Sequence, residues 1–289
     1  MARLRRTNPT RVEETRDFVV GVVTAGGRIS RSGDPAARLR VEQRLDELAT
    51  PLTALVRPGT SDLVVWNQVV LERQYAPVVR VLRDWSGREP ETILDLGANI
   101  GLTTAYFGAT YPNARIVAVE PDPASFQLLK RNTETLGGRV QQLQAAFWAR
   151  DEPLRWTERF RDGRDWSRAV EASGKGGGSV DVITPADALA RLDVDRADLA
   201  KVDVEGAEAA FFATEEGTRA LLGLADVLAI ELHLESVDPL EVATAFDRGG
   251  FLTLPAGDFV IAVRRERIGS ASEHGRSSPR DGPLAPPVD

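Results

Sequence analysis

The chain has 289 residues, of which 42% are hydrophobic and 27% charged, and its formal net charge is −7. This composition is typical of a folded protein with a sizeable core, and the negative balance gives no reason to expect a nucleic-acid partner. The absence of cysteine excludes disulfides, thiolate metal sites and a cysteine nucleophile, and two histidines are too few for a histidine-rich metal centre.

The two ends of the chain carry little apolar periodicity. Residues 1–33 begin with several arginines and no hydrophobic segment of the secretory type follows them, so we predict a basic, partly disordered arm. Residues 266–289 are rich in Ser, Gly, Pro and Arg, which predicts a disordered tail. No run of 18 apolar residues occurs, so we expect no membrane span and a cytoplasmic protein.

Residues 34–88 are predicted to form an N-terminal cap of helices. Asp34 and Pro35 resemble a helix start, and the leucines that follow up to residue 52 recur at near-helical intervals. After a Pro-Gly break, Ser61 is placed to cap a second helix, and Pro77 is placed to begin a third.

The stretch 92–104 reads as a short apolar strand, a turn and the start of a helix. Asp95 lies in the strand, and Gly97 and Gly101 frame the turn. Glycine permits a left-handed backbone and close approach to a ligand, and the first N–H groups of the helix favour an anionic group. The G-x-x-x-G spacing differs from the G-x-G-x-x-G of dinucleotide-binding proteins, and a tight strand-to-helix turn also explains it.

A second predicted strand, residues 115–120, ends on Glu120. A carboxylate at the tip of the second strand of a βαβ unit is placed to accept hydrogen bonds from the two hydroxyls of a ribose. The residues at both strand ends therefore indicate a nucleotide-like ligand.

Strands and helices continue to alternate as far as residue 263, which predicts an α/β protein with a mostly parallel sheet. The further predicted strands are 139–145, 199–204, 226–233 and a closing hairpin of 251–254 with 259–263; the further predicted helices are 123–136, 185–192, 206–222 and one beginning at Asp238 or Pro239. This gives seven strands with an antiparallel last member.

Three stretches resemble motifs of the FkbM-type S-adenosylmethionine-dependent methyltransferases, namely Asp95–Gly101, Val119–Pro121 and Leu199–Glu208. The resemblance covers residues 57–263. It implies a Rossmann-like class I methyltransferase fold over residues 89–265, with S-adenosylmethionine as cofactor. It further implies methyl transfer to a hydroxyl of a small-molecule acceptor, such as a sugar, a polyketide or another secondary metabolite.

The resemblance and the strand-end positions together imply the cofactor site, for which the expected residues are Asp95, Gly97, Asn99, Gly101, Glu120, Asp122, Ala146 and Phe147. The two glycines and Asn99 are expected at the amino-acid end of the cofactor, with Asp95 near its amino group. Glu120 is expected at the ribose. The last three residues are placed beside the adenine by fold analogy alone.

The candidate catalytic residues follow the fourth and fifth strands of the parallel set. Lys201, Asp203 and Glu205 share one face of their strand, and Asp203 is expected beside the cofactor or the acceptor. An ion pair with Lys201 explains the Lys201–Asp203 pattern as well.

Glu231 and His233 end the fifth strand, and histidine has a pKa suited to a general base. Glu205 is an alternative base, or it favours the start of the next helix. No metal site is expected, because the carboxylates do not cluster with histidines.

Residues 147–180 interrupt the alternation with tryptophans 148, 156 and 166 and several arginines. This insertion is expected either to line an acceptor groove or to form a hairpin whose tryptophans pack on the sheet. The glycine-rich run 174–179 is interpreted as a flexible hinge.

Three other functions compete with this interpretation. An oxidoreductase would need the denser glycine fingerprint. An N-methyltransferase on the same fold and a non-catalytic nucleotide-binding or partner protein remain alternatives, and the oligomeric state is open.

Overall fold

A computed structural model describes residues 11–46, 48, 50–86, 88–157, 170–173, 180–204, 207–232 and 237–268. The predicted tail beyond 268, Trp166 and the glycine-rich run 174–179 lie outside these residues. Among the described residues, no helix is long and apolar enough to cross a membrane.

The N-terminal region contains one long helix, a small antiparallel sheet and a group of short helices. Its elements are α1 (Arg11–Thr24), β1 (Arg28–Arg31), β2 (Leu39–Gln43), β3 (Leu52–Val56), α2 (Asp62–Trp66), a π-helical turn (Asn67–Leu71), α3 (Ala76–Val81) and a second π-helical turn (Leu82–Ser86). The sheet order is β1-β2-β3, with both pairs antiparallel.

The predicted helix over residues 34–56 is wrong, because this stretch forms β2 and β3. Along β3 every second residue is buried, which is the period of a strand with one face on the core. Leu45 and Leu48, whose spacing suggested a helix, are buried in the loop between the strands. Asp34 accepts a hydrogen bond from the Ala36 N–H in a turn and starts no helix. Among the described residues of the predicted cap, the first helix begins at Asp62, and Ser61 precedes it without a side-chain capping bond.

The predicted disordered arm is also wrong for residues 11–31, which form α1 and β1. Phe18 and Val22 of α1 are buried in the same apolar cluster as the strands that follow. Apolar burial therefore orders this segment despite its basic start. Residues 1–10 lie outside the described residues.

The remaining elements alternate between strand and helix. They are β4 (Thr92–Leu96), α4 (Leu102–Thr110), β5 (Arg115–Val119), α5 (Pro123–Asn132), a 3₁₀ segment (Glu134–Arg139), β6 (Val140–Leu143), β7 (Ala146–Phe147), β8 (Leu154–Trp156), β9 (Val170–Ala172), β10 (Val182–Ile183), α6 (Pro185–Leu192), β11 (Ala197–Val202), α7 (Glu208–Phe212), α8 (Glu215–Gly223), β12 (Ala225–Glu231), α9 (Pro239–Arg248), β13 (Phe251–Ala256), β14 (Phe259–Arg264) and a closing 3₁₀ turn (Arg265–Arg267). The helix predicted over 206–222 is two helices, with Thr214 capping the second.

A seven-stranded sheet organises this region, in the order β13-β14-β12-β11-β4-β5-β6. β14 runs antiparallel to its two neighbours, and the pairs from β12 through β6 are parallel. The predicted α/β fold with a seven-stranded, mostly parallel sheet is confirmed.

Both faces of the sheet are covered, and alternate residues of one strand enter different cores. Ile93 of β4 packs in the cluster that contains α4, α5 and the N-terminal elements. Its neighbour Leu94 packs in the cluster that contains α6 to α9. Because both faces are buried, the strand reads as a continuous apolar run. The carboxyl ends of the parallel strands are left at one edge, where ligands bind in open α/β sheets.

Candidate active site

A cleft opens at the carboxyl edge of the sheet and encloses about 1170 Å³ between its walls, including the part open to solvent. The strand ends form one side, and the segment from α2 to α3 forms the other. The lining residues are Val65, Gln68, Val69, Gln74, Tyr75, Gly97, Ala98, Asn99, Thr103, Glu120, Pro121, Asp122, Ser125, Ala146, Phe147, Trp156, Val170, Lys201, Asp203, Val204, Ala207 and Glu231.

The turn after β4 is held in a left-handed conformation at three positions, with φ of 80° at Gly97, 51° at Asn99 and 83° at Gly101. A Cβ on Gly97 would lie 1.8 Å from the carbonyl oxygen of Asp203, so only glycine allows the two strand ends to meet. A Cβ on Gly101 would lie 2.7 Å from the side chain of Leu129. Internal packing therefore demands both glycines, in addition to any need of a ligand.

Glu120 is buried directly after β5. Its Oε2 accepts the backbone N–H of Asn99 and its Oε1 that of Asp122, each at 2.8 Å. Burial raises the pKa of Glu120 to about 7, although the two backbone hydrogen bonds favour the ionised form. Each carboxylate oxygen still has a lone pair for a second donor.

Lys201 is the centre of a buried charge cluster that joins β4 to β11. Its Nζ donates to the carbonyl oxygen of Gly97 at 2.6 Å and lies 3.3 Å from Oδ2 of Asp203. Burial by itself lowers the pKa of Lys201. The negative charges of Asp203 and Asp95 outweigh burial, with a further contribution from Tyr75, and hold that pKa above its ordinary value. Lys201 is therefore a cation that fixes both the glycine turn and Asp203.

Asp95 lies behind the glycine turn and is fully buried. Its Oδ2 accepts a short hydrogen bond, 2.5 Å, from the Thr104 hydroxyl. Its Oδ1 has no hydrogen-bond partner among the described residues, because Nζ of Lys201 is 3.6 Å away, within ion-pair reach only. Burial raises the pKa of Asp95, and Lys201 and Thr104 act against that shift.

Most of the residues predicted for the cofactor lie together in the cleft; those that line it are Gly97, Asn99, Glu120, Asp122, Ala146 and Phe147. Asp95 and Gly101 support the turn from behind. The Asp122 carboxylate also caps α5 by accepting the N–H groups of Ala124 and Ser125. The Phe147 ring stacks on Phe211 at 4.9 Å, which fixes that wall.

Of the predicted catalytic residues, the structure places Asp203 in the cleft, with one third of its side chain exposed. Glu205 and His233 lie outside the described residues. Glu231, at the end of β12, also lines the cleft. Two carboxylates, on neighbouring strands, therefore face the same space.

The insertion after β7 shows features of both expected arrangements, since one tryptophan packs into the protein and another lines the cleft. Trp148 packs into the protein, and its Nε1 donates to Glu152 at 2.7 Å. Trp156 and Val170 face each other across the β8–β9 hairpin, and both line the cleft. A hairpin forms, and one of its tryptophans reaches the site.

Sequence reasoning missed several lining residues, among them Gln74 and Thr103. Gln68 and Tyr75 line the cleft from the same N-terminal segment, which also contains Arg57 and Asp62. Arg57 forms a bidentate pair with the buried Asp62, at 2.7 and 2.9 Å, and neither residue lines the cleft. No local pattern reveals which of these residues reach the site, because the segment docks onto the sheet only in the tertiary fold.

The described groups fit the chemistry of S-adenosylmethionine. Glu120 offers acceptors for a ribose diol, and Asp95 has an unpartnered carboxylate oxygen behind the glycine turn. Among the described lining residues, Lys201 is the only cationic side chain, whereas Glu120, Asp122, Asp203 and Glu231 are acidic. Such a cleft suits a ligand that carries a sulfonium and an ammonium group. The described residues contain no group of three His, Cys, Asp or Glu side chains placed to hold a metal ion.

Comparison with known proteins agrees with this geometry. The model of the methyltransferase FkbM domain matches residues 95–252, more than half of the chain. Methyltransferase 1 of Beauveria bassiana (strain ARSEF 2860) is 29% identical over 198 residues, covering 60% of this chain and 74% of the relative. Methyltransferase sdnD of Sordaria araneosa is 32% identical over 148 residues, covering 40% of this chain and 57% of that protein.

Solved structures are more distant. Fibrillarin from Aeropyrum pernix is 15% identical and has a TM-score of 0.37, with 81% of this chain and 96% of that chain covered. An O-methyltransferase family protein from Burkholderia thailandensis is 15% identical, with a TM-score of 0.40 and 70% and 59% covered. No conclusion about the site is drawn from these two. The match of the family model decides the assignment: the chain belongs to the FkbM methyltransferase family, whose cofactor is S-adenosylmethionine.

Proposed function

We propose that this protein is an O-methyltransferase that methylates a hydroxyl of a small-molecule acceptor. The observation that carries the proposal is Asp203, a partly exposed carboxylate that Lys201 fixes in the same cleft as Glu120. A hydroxyl acceptor must be oriented and must lose its proton, and a fixed carboxylate serves both purposes.

When bound, S-adenosylmethionine supplies an electrophilic methyl group. We assign Glu120 to the ribose hydroxyls, since both of its oxygens are already oriented by backbone N–H groups. The backbone at Gly97 and the side chain of Asn99 border the amino-acid end, and Asp95 supports that end from behind the turn. Asp122, Ala146 and Phe147 form the wall for the adenine.

Asp203 has the central role on the acceptor side. Its carboxylate accepts the hydrogen bond of the acceptor hydroxyl, which directs an oxygen lone pair into the cleft, and it takes the proton as the ether forms. Lys201 positions Asp203 and does not touch the acceptor in this scheme. Glu231 is a second carboxylate at the same edge, and His233 and Glu205 remain candidate bases on sequence grounds alone.

Several finer points stay predictions. The acceptor class of sugar, polyketide or other secondary metabolite rests on the family resemblance, as does a place in natural-product biosynthesis. A cytoplasmic location rests on composition. N-methylation is the main alternative, because a carboxylate also orients an amine.

The first experiment measures binding of S-adenosylhomocysteine by calorimetry to the wild type and to Asp203→Asn. Both are expected to bind with similar affinity, because Asp203 is assigned to the acceptor. Transfer of an isotope-labelled methyl group to hydroxylated compounds is then expected to fall roughly a hundredfold or more in Asp203→Asn. The matched control is Asp151→Asn, an exposed carboxylate outside the cleft.

The nature of the product decides between oxygen and nitrogen. Mass spectrometry and NMR of the labelled product are expected to show a methyl ether. A well-folded wild type that binds no S-adenosylhomocysteine, or a product methylated on nitrogen, would overturn the proposal.

A further inference from the structure

We infer that Gln68 and Gln74 form the polar recognition site for the acceptor, and that this acceptor is a polyhydroxylated molecule without a negative charge. This inference rests on the proposed function. It starts from the segment between α2 and α3, whose backbone departs from a regular helix.

The segment leaves α-helical geometry at two points. At the π-helical turn Asn67–Leu71, the N–H of Glu72 donates to the carbonyl of Asn67 at 2.8 Å. The next residue, Arg73, is left-handed with φ of 56°. Both features are uncommon and concentrate at functional sites, since each costs free energy that the fold must offset.

This backbone path brings the carboxamides of Gln68 and Gln74 to the cleft together. The N–H of Gln74 donates to the carbonyl of Gln68 at 2.9 Å, which closes the loop between them. Both residues line the cleft and are half-buried. Neither side-chain carboxamide makes a hydrogen bond within the described part of the chain. They are therefore available to a ligand.

The position of Tyr75 assigns this segment to the acceptor end. The Tyr75 ring stacks on Phe259 at 5.4 Å, and Phe259 is the register partner of Glu231. Phe259 begins β14, four strands from β5, which corresponds to about 19 Å across the sheet. The Tyr75 ring is equally close, 5.4 Å, to the Phe107 ring of α4, so the segment lies over the part of the cleft between β4 and β14, away from Glu120 at the end of β5.

The charges on this side restrict the chemistry of the acceptor. Lys201 is the only cation among the described lining residues, and it is already held by Gly97 and Asp203. Asp203 and Glu231 disfavour an anionic acceptor. Two neutral carboxamides each donate and accept, which matches neighbouring hydroxyl groups.

The test uses two glycosides of one skeleton that differ in charge: methyl β-glucopyranoside and methyl β-glucuronide. Their binding to the protein saturated with S-adenosylhomocysteine is followed by saturation-transfer NMR. The neutral glycoside is expected to bind at least fivefold tighter than the glucuronide. Gln68→Leu and Gln74→Leu are each expected to lower the affinity for the neutral glycoside at least fivefold. The affinity for S-adenosylhomocysteine is expected to stay within twofold of the wild-type value.

Gln127→Leu, an exposed position on α5, is the matched control, and Gln68→Asn and Gln74→Asn serve where a leucine variant does not fold. The inference is wrong if the neutral glycoside does not bind, if the glucuronide binds better, or if the glutamine variants leave glycoside binding unchanged. It is also wrong if these variants lower the affinity for S-adenosylhomocysteine instead, because the carboxamides would then bind the cofactor. Failure of the wild type to bind S-adenosylhomocysteine is a separate result, which counts against the proposed function.

Discussion

Burial and hydrogen bonding have opposite effects on the pKa of the Glu120 carboxyl group. Burial raises its pKa to about 7, and the N–H groups of Asn99 and Asp122 keep its oxygens oriented. Two ribose hydroxyls need acceptors, so the ionised form binds a diol better than the acid does. Ligand affinity should then follow the titration of this single group.

We expect the affinity for S-adenosylhomocysteine to fall about tenfold for each pH unit below about 7, because the carboxyl group is then protonated and must lose that proton before it binds the diol. Calorimetry between about pH 6 and about pH 8 measures this slope. In Glu120→Gln the affinity should be lower throughout and nearly independent of pH. Glu134→Gln, an exposed position, should keep the wild-type slope. A wild-type affinity that does not change across this range would contradict the assignment of Glu120.

Folding stability should also depend on pH through Glu120, and it should fall as the pH rises. Because the pKa of Glu120 is raised from 4.5 to about 7 on folding, the folded state holds the proton more tightly than the unfolded chain. Its contribution is present below about pH 4.5 and is lost as the pH rises to about 7, for a total on the order of 3 kcal/mol. Denaturation of Glu120→Gln should therefore show a flatter profile than the wild type over this window.

Lys201 is the residue whose loss should cost most stability. Replacement by methionine keeps the volume but leaves Asp95 and Asp203 without their cation, which should cost about 3–5 kcal/mol. Denaturant unfolding measures the difference. Lys130→Met, which removes an exposed cation over the Phe126 ring, should cost at most about 1 kcal/mol.

A double variant separates charge from packing at the same site. Asp95→Asn added to Lys201→Met removes one of the uncompensated charges, so part of the lost stability should return. A loss below 1 kcal/mol in the single variant, or no recovery in the double variant, would show that the cluster is not coupled through charge.

At the scale of elements, one side chain joins three parts of the fold. Asn132, the last residue of α5, accepts the N–H of Leu55 at 2.7 Å and donates to the carbonyl of Leu55 at 3.1 Å. It also donates to the carbonyl of Ile100, in the glycine turn, at 2.8 Å. β3 of the small sheet is thereby tied to the cofactor turn through α5.

We expect Asn132→Leu to destabilise the protein by about 2–4 kcal/mol, because it leaves one buried and two part-buried backbone groups without this partner. It should also weaken S-adenosylhomocysteine binding, since Ile100 belongs to the turn. Urea unfolding and calorimetry measure the two effects. Gln127→Leu on the exposed side of α5 should change stability by no more than about 0.5 kcal/mol. Unchanged binding in Asn132→Leu would show that the turn does not need this anchor.

At the scale of the whole molecule, the N-terminal region is not an independent unit. Phe18 of α1, Val41 of β2 and Ile93 of β4 belong to one continuous apolar cluster. Removing the first fifty residues would therefore expose core surface on the α4–α5 face of the sheet.

We expect the full chain to unfold in a single cooperative transition, because the shared core couples the N-terminal sheet to the large sheet. Scanning calorimetry should give equal calorimetric and van't Hoff enthalpies. S-adenosylhomocysteine at a hundredfold excess over its dissociation constant should stabilise the whole transition by about 2.7 kcal/mol. Two separate transitions, with only one shifted by the ligand, would contradict a shared core.

The alternation of strands and helices over residues 92–263 predicts the large sheet, and the resemblance of three stretches within it to known methyltransferases indicates the family. Strands such as 92–96 are mostly apolar and are separated by helices with their own caps, so local signals and the final fold agree. The positions of Gly97, Glu120 and Asp203 at strand ends follow from this alternation, because the carboxyl ends of parallel strands share one edge. These residues were therefore predictable as neighbours before any coordinates.

Other features were decided only by the tertiary structure. Residues 39–56 carry leucines at near-helical spacings, but apolar residues alternate along 52–56, and docking against α5 through Asn132 favours the strands. Gln68, Gln74 and Trp156 reach the cleft because distant segments fold over it, which no local spacing encodes. The sequence by itself thus determined the sheet and the strand-end residues, since these depend on local periodicity and chain order. The wall that faces the strand ends, and the contacts of Lys201 with Gly97 and Asp95, depend on segments far apart in the chain, so only the tertiary structure decided them.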